Sequence, residues 1–178
     1  MLKSDRLTLR PLSEEDVDDM LTWVNDPHII GNIATFTLDY FTAAEERRYV
    51  KRMQESDEDH VFSIFDKKGS YIGQIGIHQI YHRSRTGRLS VVIASKEDMG
   101  KGYGSEAIRT LLNYAFDPKG LNLHKIWLLV FESNERSRRT YERVGFIKEG
   151  VLREEYFHEM HYHNMIRMSI LASEWASK

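Results

Sequence analysis

The chain has no cysteine among its 178 residues, which excludes a disulfide framework, a thiolate metal site and a cysteine nucleophile. It also lacks an apolar run long enough to span a bilayer, and its first residues, Met1-Leu2-Lys3-Ser4-Asp5, do not look like a secretory signal. The cytosol is the expected compartment, with no membrane partner. Nor does one charge prevail: 25 Lys and Arg against 27 Asp and Glu leave a net charge of −2. That argues against a nucleic-acid binder held by bulk electrostatics, so no nucleic acid is expected as a partner. Prolines number only three, and each punctuates: Pro11 stops a strand, Pro27 follows a helix and Pro118 sits in a turn. Repeats, low-complexity tracts and linkers are missing too. At this length and 41% hydrophobic content, one soluble domain over residues 1–178 is expected.

What is present is organised around Val91-Val92-Ile93-Ala94 and the following Met99-Gly100-Lys101-Gly102-Tyr103-Gly104-Ser105. A β-branched run gives way to a loop with three glycines at alternate positions. Ile108, Leu111, Leu112 and Ala115 then recur at i, i+3, i+4 and i+7, one face of a helix. Strand, glycine loop and helix follow in that order. Such a loop is either a tight turn or a site for phosphate oxygens, which uncapped N–H groups and the positive end of the helix dipole would attract. It lacks the GxxxxGK[ST] order of a P-loop and the GxGxxG order of a dinucleotide fold.

Along the chain, Arg6 to Arg10 alternates as a half-buried strand. Ser13 caps a helix whose buried stripe is Val17, Met20, Leu21 and Val24. Residues 28–41 read as a loop with short turns, and Thr42 and Glu45 form a capping box for a helix reaching Gln54. The acidic stretch Glu55 to Asp59 reads as a solvated turn. A hairpin follows, His60 to Phe65 and Ser70 to Ile80, in which Gly73 and Gly76 suggest a bulge or a close ligand approach. Arg88 to Ala94 is the strand before the glycine loop. Lys125 to Phe131 is apolar on both faces and should be covered on both. Ser133 opens a helix ending at Val144, and strands of about 146–154 and 162–171 close the chain. The order β-α-α-β-β-β-α-β-α-β-β makes an α/β (α+β) domain: a mixed, mostly antiparallel sheet of seven strands flanked by four helices.

A second constellation lies on the helix after Lys125 to Phe131. Asn134, Ser137 and Tyr141 stand at i, i+3 and i+7 on one side of it, and Gly145-Phe146 follows. Taken alone, this is a capped helix with an aromatic packed inward. Yet both helix starts should lie at the same end of adjacent strands, where α/β sheets place ligands.

The two motifs, M-G-K-G-Y-G and N-x-x-S-x-x-x-Y-x-x-x-G-F, together with the element order over the whole chain, resemble the GNAT superfamily of acetyl-CoA-dependent N-acetyltransferases. Met99 stands where that family usually has Gln or Arg. Leu121-Asn122-Leu123-His124-Lys125-Ile126, Glu149 to Glu155 and Met168 to Leu171 resemble the branch of ribosomal-protein N-terminal and spermidine acetyltransferases. The resemblance implies acetyl-CoA as cosubstrate, held by Val92, Ile93, Ala94, Met99 to Ser105, Asn134 and Ser137. It implies a backbone N–H near Val92 to Ala94 on the thioester carbonyl, and Tyr141 as general acid. Tyr156, Tyr162 and Asn164 sit where relatives build the acceptor pocket, although strand packing also explains them. Arg88 occupies the position of the family's usual base, a Glu, which leaves Glu132, His78, His82 or bulk water to take the proton. His158, His161 and His163 show no convincing ligand spacing, and no metal is expected.

The leading expectation is transfer of an acetyl group to a primary amine: a polyamine, a protein N-terminus or an amino sugar. Without cysteine, direct transfer in a ternary complex is favoured. The alternatives are a catalytically weak CoA-binding sensor or structural protein, and a ribosome-bound factor. Exposed edge strands leave room for a homodimer.

Overall fold

The computed structural model describes residues 1–31, 33 and 40–177. The chain runs β1 (Leu2–Lys3), β2 (Leu7–Pro11), a 3-10 turn (Glu14–Asp16), α1 (Val17–Val24), α2 (Pro27–Ile30), α3 (Ala43–Glu55), β3 (His60–Asp66) and β4 (Tyr71–Tyr81). It continues through β5 (Thr86–Ile93), α4 (Tyr103–Phe116), β6 (Lys125–Phe131), α5 (Glu135–Val144), β7 (Ile147–His158), β8 (His161–Leu171) and α6 (Ala172–Ala176). The strands form one sheet in the order β1-β2-β3-β4-β5-β6-β8-β7, antiparallel throughout except where β5 meets β6. Among the described residues, eight strands and six helices thus replace the expected seven and four. The additions are β1, α2 and α6, two to five residues each and too short to show a period. Among the described residues, no helix is long and apolar enough to cross a membrane.

Helix starts follow the side-chain chemistry of the sequence. Ser13 and Asp16 form a capping box, and Thr42 and Glu45 form the expected second one. Asp16 is itself buried, where it accepts hydrogen bonds from Ser63 Oγ (2.6 Å) and the Ser13 N–H (3.0 Å) and pairs with Arg10. The buried stripe of α1 is Val17, Met20, Trp23 and Val24; Leu21 is only half-buried, because Trp23 takes the inward place and donates to Tyr71 Oη at 3.2 Å. Of the expected loop at 28–41, residues 32 and 34–39 lie outside the described residues, while Pro27–Ile30 is helical behind its Asp26 cap.

The main core lies between one sheet face and α4, where Ile64, Ile75, Ile77, Ile108, Leu111, Leu112, Ile126 and Leu128 are fully buried. On the opposite face, α1 and α3 enclose Val17, Met20, Val50 and Val61. β6 differs from its sequence reading. Ile126, Leu128 and Val130 are buried, but Trp127 and Leu129 are only partly covered, and the Arg167 guanidinium lies 4.2 Å over the Trp127 ring. A cation on an indole face covers apolar surface where no helix does.

Of the two glycines of β4, Gly73 marks the expected bulge, and what comes close to both is the protein's own backbone and side chains. Gly73 stands at the β3–β4 register shift with φ +153°, and a Cβ there would meet Val92 O at 2.0 Å. Gly76 gives its space to the His78 ring: a Cβ would lie 3.1 Å from His78 Nε2. At the far edge, β7 and β8 form a hairpin closed by Glu159 and Met160, both at positive φ (48° and 62°), as a two-residue turn requires.

Candidate active site

β5 and β6 pair only over Thr86–Arg88 and Lys125–Trp127. Beyond that point no partner residues are shared, and the strands part. Each then feeds a helix, β5 through the glycine loop into α4 and β6 into α5. A cavity of about 320 Å³ opens between the strands and both helix starts. Val91, Val92 and Ile93 line it from β5, Leu129 and Val130 from β6, and Asn134, Ser137 and Tyr141 from α5.

The glycine loop has the backbone its residues permit. Gly100 and Gly102 have φ of +84° and +85°, a region costly for other residues. Gly102 is the N-cap of α4 and, among the described residues, no side chain caps it, so the first-turn N–H groups remain open to an acceptor. Met99, Gly100, Gly102, Tyr103, Gly104 and Ser105 all face the cavity. Lys101 does not line it: Lys101 Nζ is tied to Asp98 Oδ1 at 2.9 Å. The Arg6 guanidinium buttresses the loop from behind, donating to Lys101 O (3.0 Å) and to Glu106 (2.7 Å).

The ladder between β4 and β5 decides which N–H groups can polarise a carbonyl. Ala94 N–H donates to Ile72 O at 2.9 Å, so Ala94 is spent on the sheet, and it does not line the cavity. In an antiparallel pair, N–H groups alternate sides, which turns Val92 N–H toward β4 as well. Arg85 O, on the other phase, already points at β6, where it accepts from His124 and Lys125. The same phase directs the N–H groups of Val91 and Ile93 into the opening. Of the three expected residues, Ile93 therefore presents its amide, with Val91 beside it.

On α5 the cap is Asn134, not Ser133: Asn134 Oδ1 accepts from Ser137 N–H at 3.1 Å. Its amide N–H₂ is left to donate into the cavity. One turn beyond Ser137, the Tyr141 ring packs edge-on against Phe146 at 5.9 Å. Its hydroxyl makes no hydrogen bond among the described residues. Burial pushes that hydroxyl up to about 12, so it holds its proton at neutral pH.

The expected acceptor residues are not brought to this cavity. Tyr156 packs against Phe131 at 5.5 Å, and Tyr162 is exposed beside Phe157 near the hairpin end. Asn164 spends its amide within the sheet, donating to Glu132 (2.9 Å) and accepting from Glu154 N–H (2.9 Å). Glu132 is thereby engaged, and His82 is exposed and bound to Asp57 O at 3.1 Å. His78 is different: it bridges Asp59 and Ser90. Asp59 is accordingly no part of a solvated turn. Arg88, directly across from His78, is half-buried, and its Nε has no hydrogen-bond partner among the described residues. Among the described residues, no three His, Asp or Glu side chains gather as a metal site.

Sequence reading missed Arg136, Thr140 and Arg143, which line the cavity beside Asn134, Ser137 and Tyr141. Their signal was present, since i, i+4 and i+7 mark a second stripe along the same helix. It also missed Ile29 and Ile33, which α2 and the residues after it bring over the opening.

A glycine loop in the left-handed region, an uncapped helix start, a parted strand pair and a cationic rim suit a ligand with phosphates and a long thin arm, as CoA has. Residues 6–147 match the Acetyltransferase (GNAT) domain family. The chain is 31% identical to a spermidine N(1)-acetyltransferase of Vibrio cholerae, over 98% of each chain. It is 35% identical to a putative ribosomal N-acetyltransferase of Bacillus subtilis, over 70% of this chain and 66% of that one. The crystal structure of spermidine N-acetyltransferase from Vibrio cholerae in complex with CoA and spermine superposes with a TM-score of 0.89 at 29% identity, covering 97% and 99% of the two chains.

Proposed function

This chain belongs to the GNAT acetyltransferase family and is an acetyl-CoA-dependent N-acetyltransferase, and from that premise we propose that its acceptor is a primary amine of a polyamine of the spermidine type. The observation that carries the reaction is the parting of β5 from β6 between two helix starts, with Tyr141 at its wall. The polyamine is supported by the relatives, one named for spermidine and one bound to spermine. Acidic groups on the α1–α3 side of the sheet add to it. Asp19 and Glu46 both have raised carboxyl pKa values, mainly through burial, so a cation there would be welcome.

The thioester of acetyl-CoA supplies the acetyl group and the leaving thiolate. The open N–H groups of α4 and the Arg136 guanidinium hold phosphates. The Ile93 and Val91 amides are oriented to stabilise negative charge on a carbonyl oxygen. Tyr141 Oη keeps a proton that it can give to a departing sulfur. With no cysteine to carry the acetyl group, transfer runs directly from donor to amine in a ternary complex.

Initial rates with spermidine, a basic-N-terminus peptide and glucosamine test the acceptor. Spermidine should exceed both others at least tenfold in kcat/KM. A preference for the peptide or the sugar would overturn the polyamine, and no turnover despite tight acetyl-CoA binding would favour a sensor.

A further inference from the structure

Three side chains from three separate segments form a continuous hydrogen-bonded line on the α1–α3 face of the sheet. Asp59 Oδ1 lies 2.8 Å from His78 Nδ1, and His78 Nε2 lies 2.9 Å from Ser90 Oγ. The line depends on register. Ser90 faces Gly76 across the β4–β5 ladder, and the absence of a Cβ at Gly76 lets the His78 ring lie across that position to reach it. Ser90 shares its face of β5 with Val92, which lines the cavity two residues on, about 7 Å along the strand.

Resting on the acetyltransferase reading, we propose that Ser90, His78 and Asp59 are the proton relay for the acceptor amine. The ammonium N–H bond breaks as its proton passes to Ser90 Oγ, and the Ser90 O–H proton passes to His78 Nε2. Each electron pair stays on its atom, the amine becomes neutral, and His78 becomes an imidazolium paired with Asp59. The proton then reaches solvent past Asp59, whose side chain is 20% exposed.

The surroundings prepare this line for an arriving proton. Asp59 also accepts from Ser56 Oγ at 2.7 Å. Burial pushes its carboxyl up, but hydrogen bonds from Ser56, His78 and the Gln79 backbone outweigh this and hold it below the usual range. A carboxylate so held keeps the proton on Nδ1 and turns the Nε2 lone pair toward Ser90. Burial pulls His78 down, and Arg88 on β5 adds to this against Asp59, so the ring is neutral at pH 7. Two further titrating groups lie near Asp59: burial pushes the Tyr49 hydroxyl of α3 up, leaving it uncharged, and burial pulls the His60 imidazole of β3 down. Arg88 also explains why no carboxylate on β5 serves as base: β5 has a cation there, and the acceptor for the proton sits directly opposite on β4.

The test combines pH–rate profiles with nitrogen NMR of the unliganded protein. His78→Gln should lower kcat about a hundredfold at pH 7 and leave the KM for acetyl-CoA unchanged. The deficit should shrink toward pH 10, where the amine gives up its own proton. Ser90→Ala should follow the same pattern and Ser90→Thr should restore the rate. NMR should find His78 protonated on Nδ1, with the Nε2 resonance moved by Ser90→Ala. A deficit equal at every pH, an unaffected Ser90→Ala rate, or an Nε2 resonance indifferent to Ser90 would each overturn the relay. If the wild type acetylates no amine, the acetyltransferase reading falls first, and the NMR result separates that failure from a relay that never forms.

Discussion

Arg136 Nη1 lies 3.6 Å from Met99 Sδ, which joins the start of α5 to the glycine loop before α4. Its Nη2 would lie 3.6 Å from a Cβ on Gly100. Met99 stands where relatives usually have Gln or Arg, so the loop lacks a polar side chain of its own at that place. The cation comes from the neighbouring helix instead, and it reaches the same rim of the cavity.

Arg136→Ala should therefore weaken acetyl-CoA about tenfold, the order expected for one charge-assisted hydrogen bond. Calorimetric titration of the variant measures this, with unchanged kcat at saturating donor. Equal affinity in variant and wild type would show that the guanidinium only packs on Met99.

Tyr141→Phe separates binding from proton transfer. The ring meets Phe146 edge-on, and phenylalanine keeps that contact, so the fold should be unaffected. Loss of a hydroxyl held protonated by burial should lower kcat by about 10²-fold or more, with little change in KM for acetyl-CoA. A residual rate is expected, because a thiolate is a tolerable leaving group. An unchanged kcat would take Tyr141 out of the reaction.

How much of this site could be read from the residues depends on whether local chemistry or register decides. The glycine loop was legible because glycines at positive φ mark their own backbone, and the Thr42–Glu45 capping box announced itself by spacing, whereas at Ser13 only the cap was legible and its pairing with Asp16 was not. Ser133 was mistaken for the cap since either Ser133 or its neighbour Asn134 could fill that role, and only the bond to Ser137 N–H distinguishes them. Leu21 reads as part of the stripe because it stands four residues after Val17, but Trp23, three residues after Met20, is the side chain that turns inward. The pairing of Asp59, His78 and Ser90 needs the β4–β5 register and the turn before β3, neither of which a sequence pattern supplies. An acid in a run of acids reads as solvated until its partners are known.

Gly73 carries a constraint that its neighbours depend on. Alanine there would place a Cβ 2.0 Å from Val92 O at a φ of +153°, so β4 and β5 would have to move apart. Gly73→Ala should cost about 2–4 kcal/mol in urea unfolding, as overpacking added to backbone strain. It should also weaken acetyl-CoA, because Val92 lines the cavity. Gly150→Ala, with nothing within 4 Å of the new Cβ, is the control and should change neither.

Glu46 gives the stability of the protein a definite pH slope. Burial, with Glu45 adding to it, pushes its carboxyl from an ordinary 4.5 up to about 7. Between those values the folded chain binds the proton more strongly than the unfolded chain does. Stability from this group is thus greatest at acid pH and falls as pH rises from 4.5 through 7. Above pH 7 the folded state holds a carboxylate that is only 4% exposed, at a cost of about 1 kcal/mol or more. Glu46→Gln removes the ionisation. It should raise Tm by about 2–4 °C at pH 8 and leave it nearly unchanged at pH 4.5. Spermidine, if its ammonium pairs with this carboxylate, should stabilise the wild type more than the variant at pH 8. Equal gains at both pH values would mean that the glutamate is not the group that titrates. Equal protection by spermidine would place its cation elsewhere.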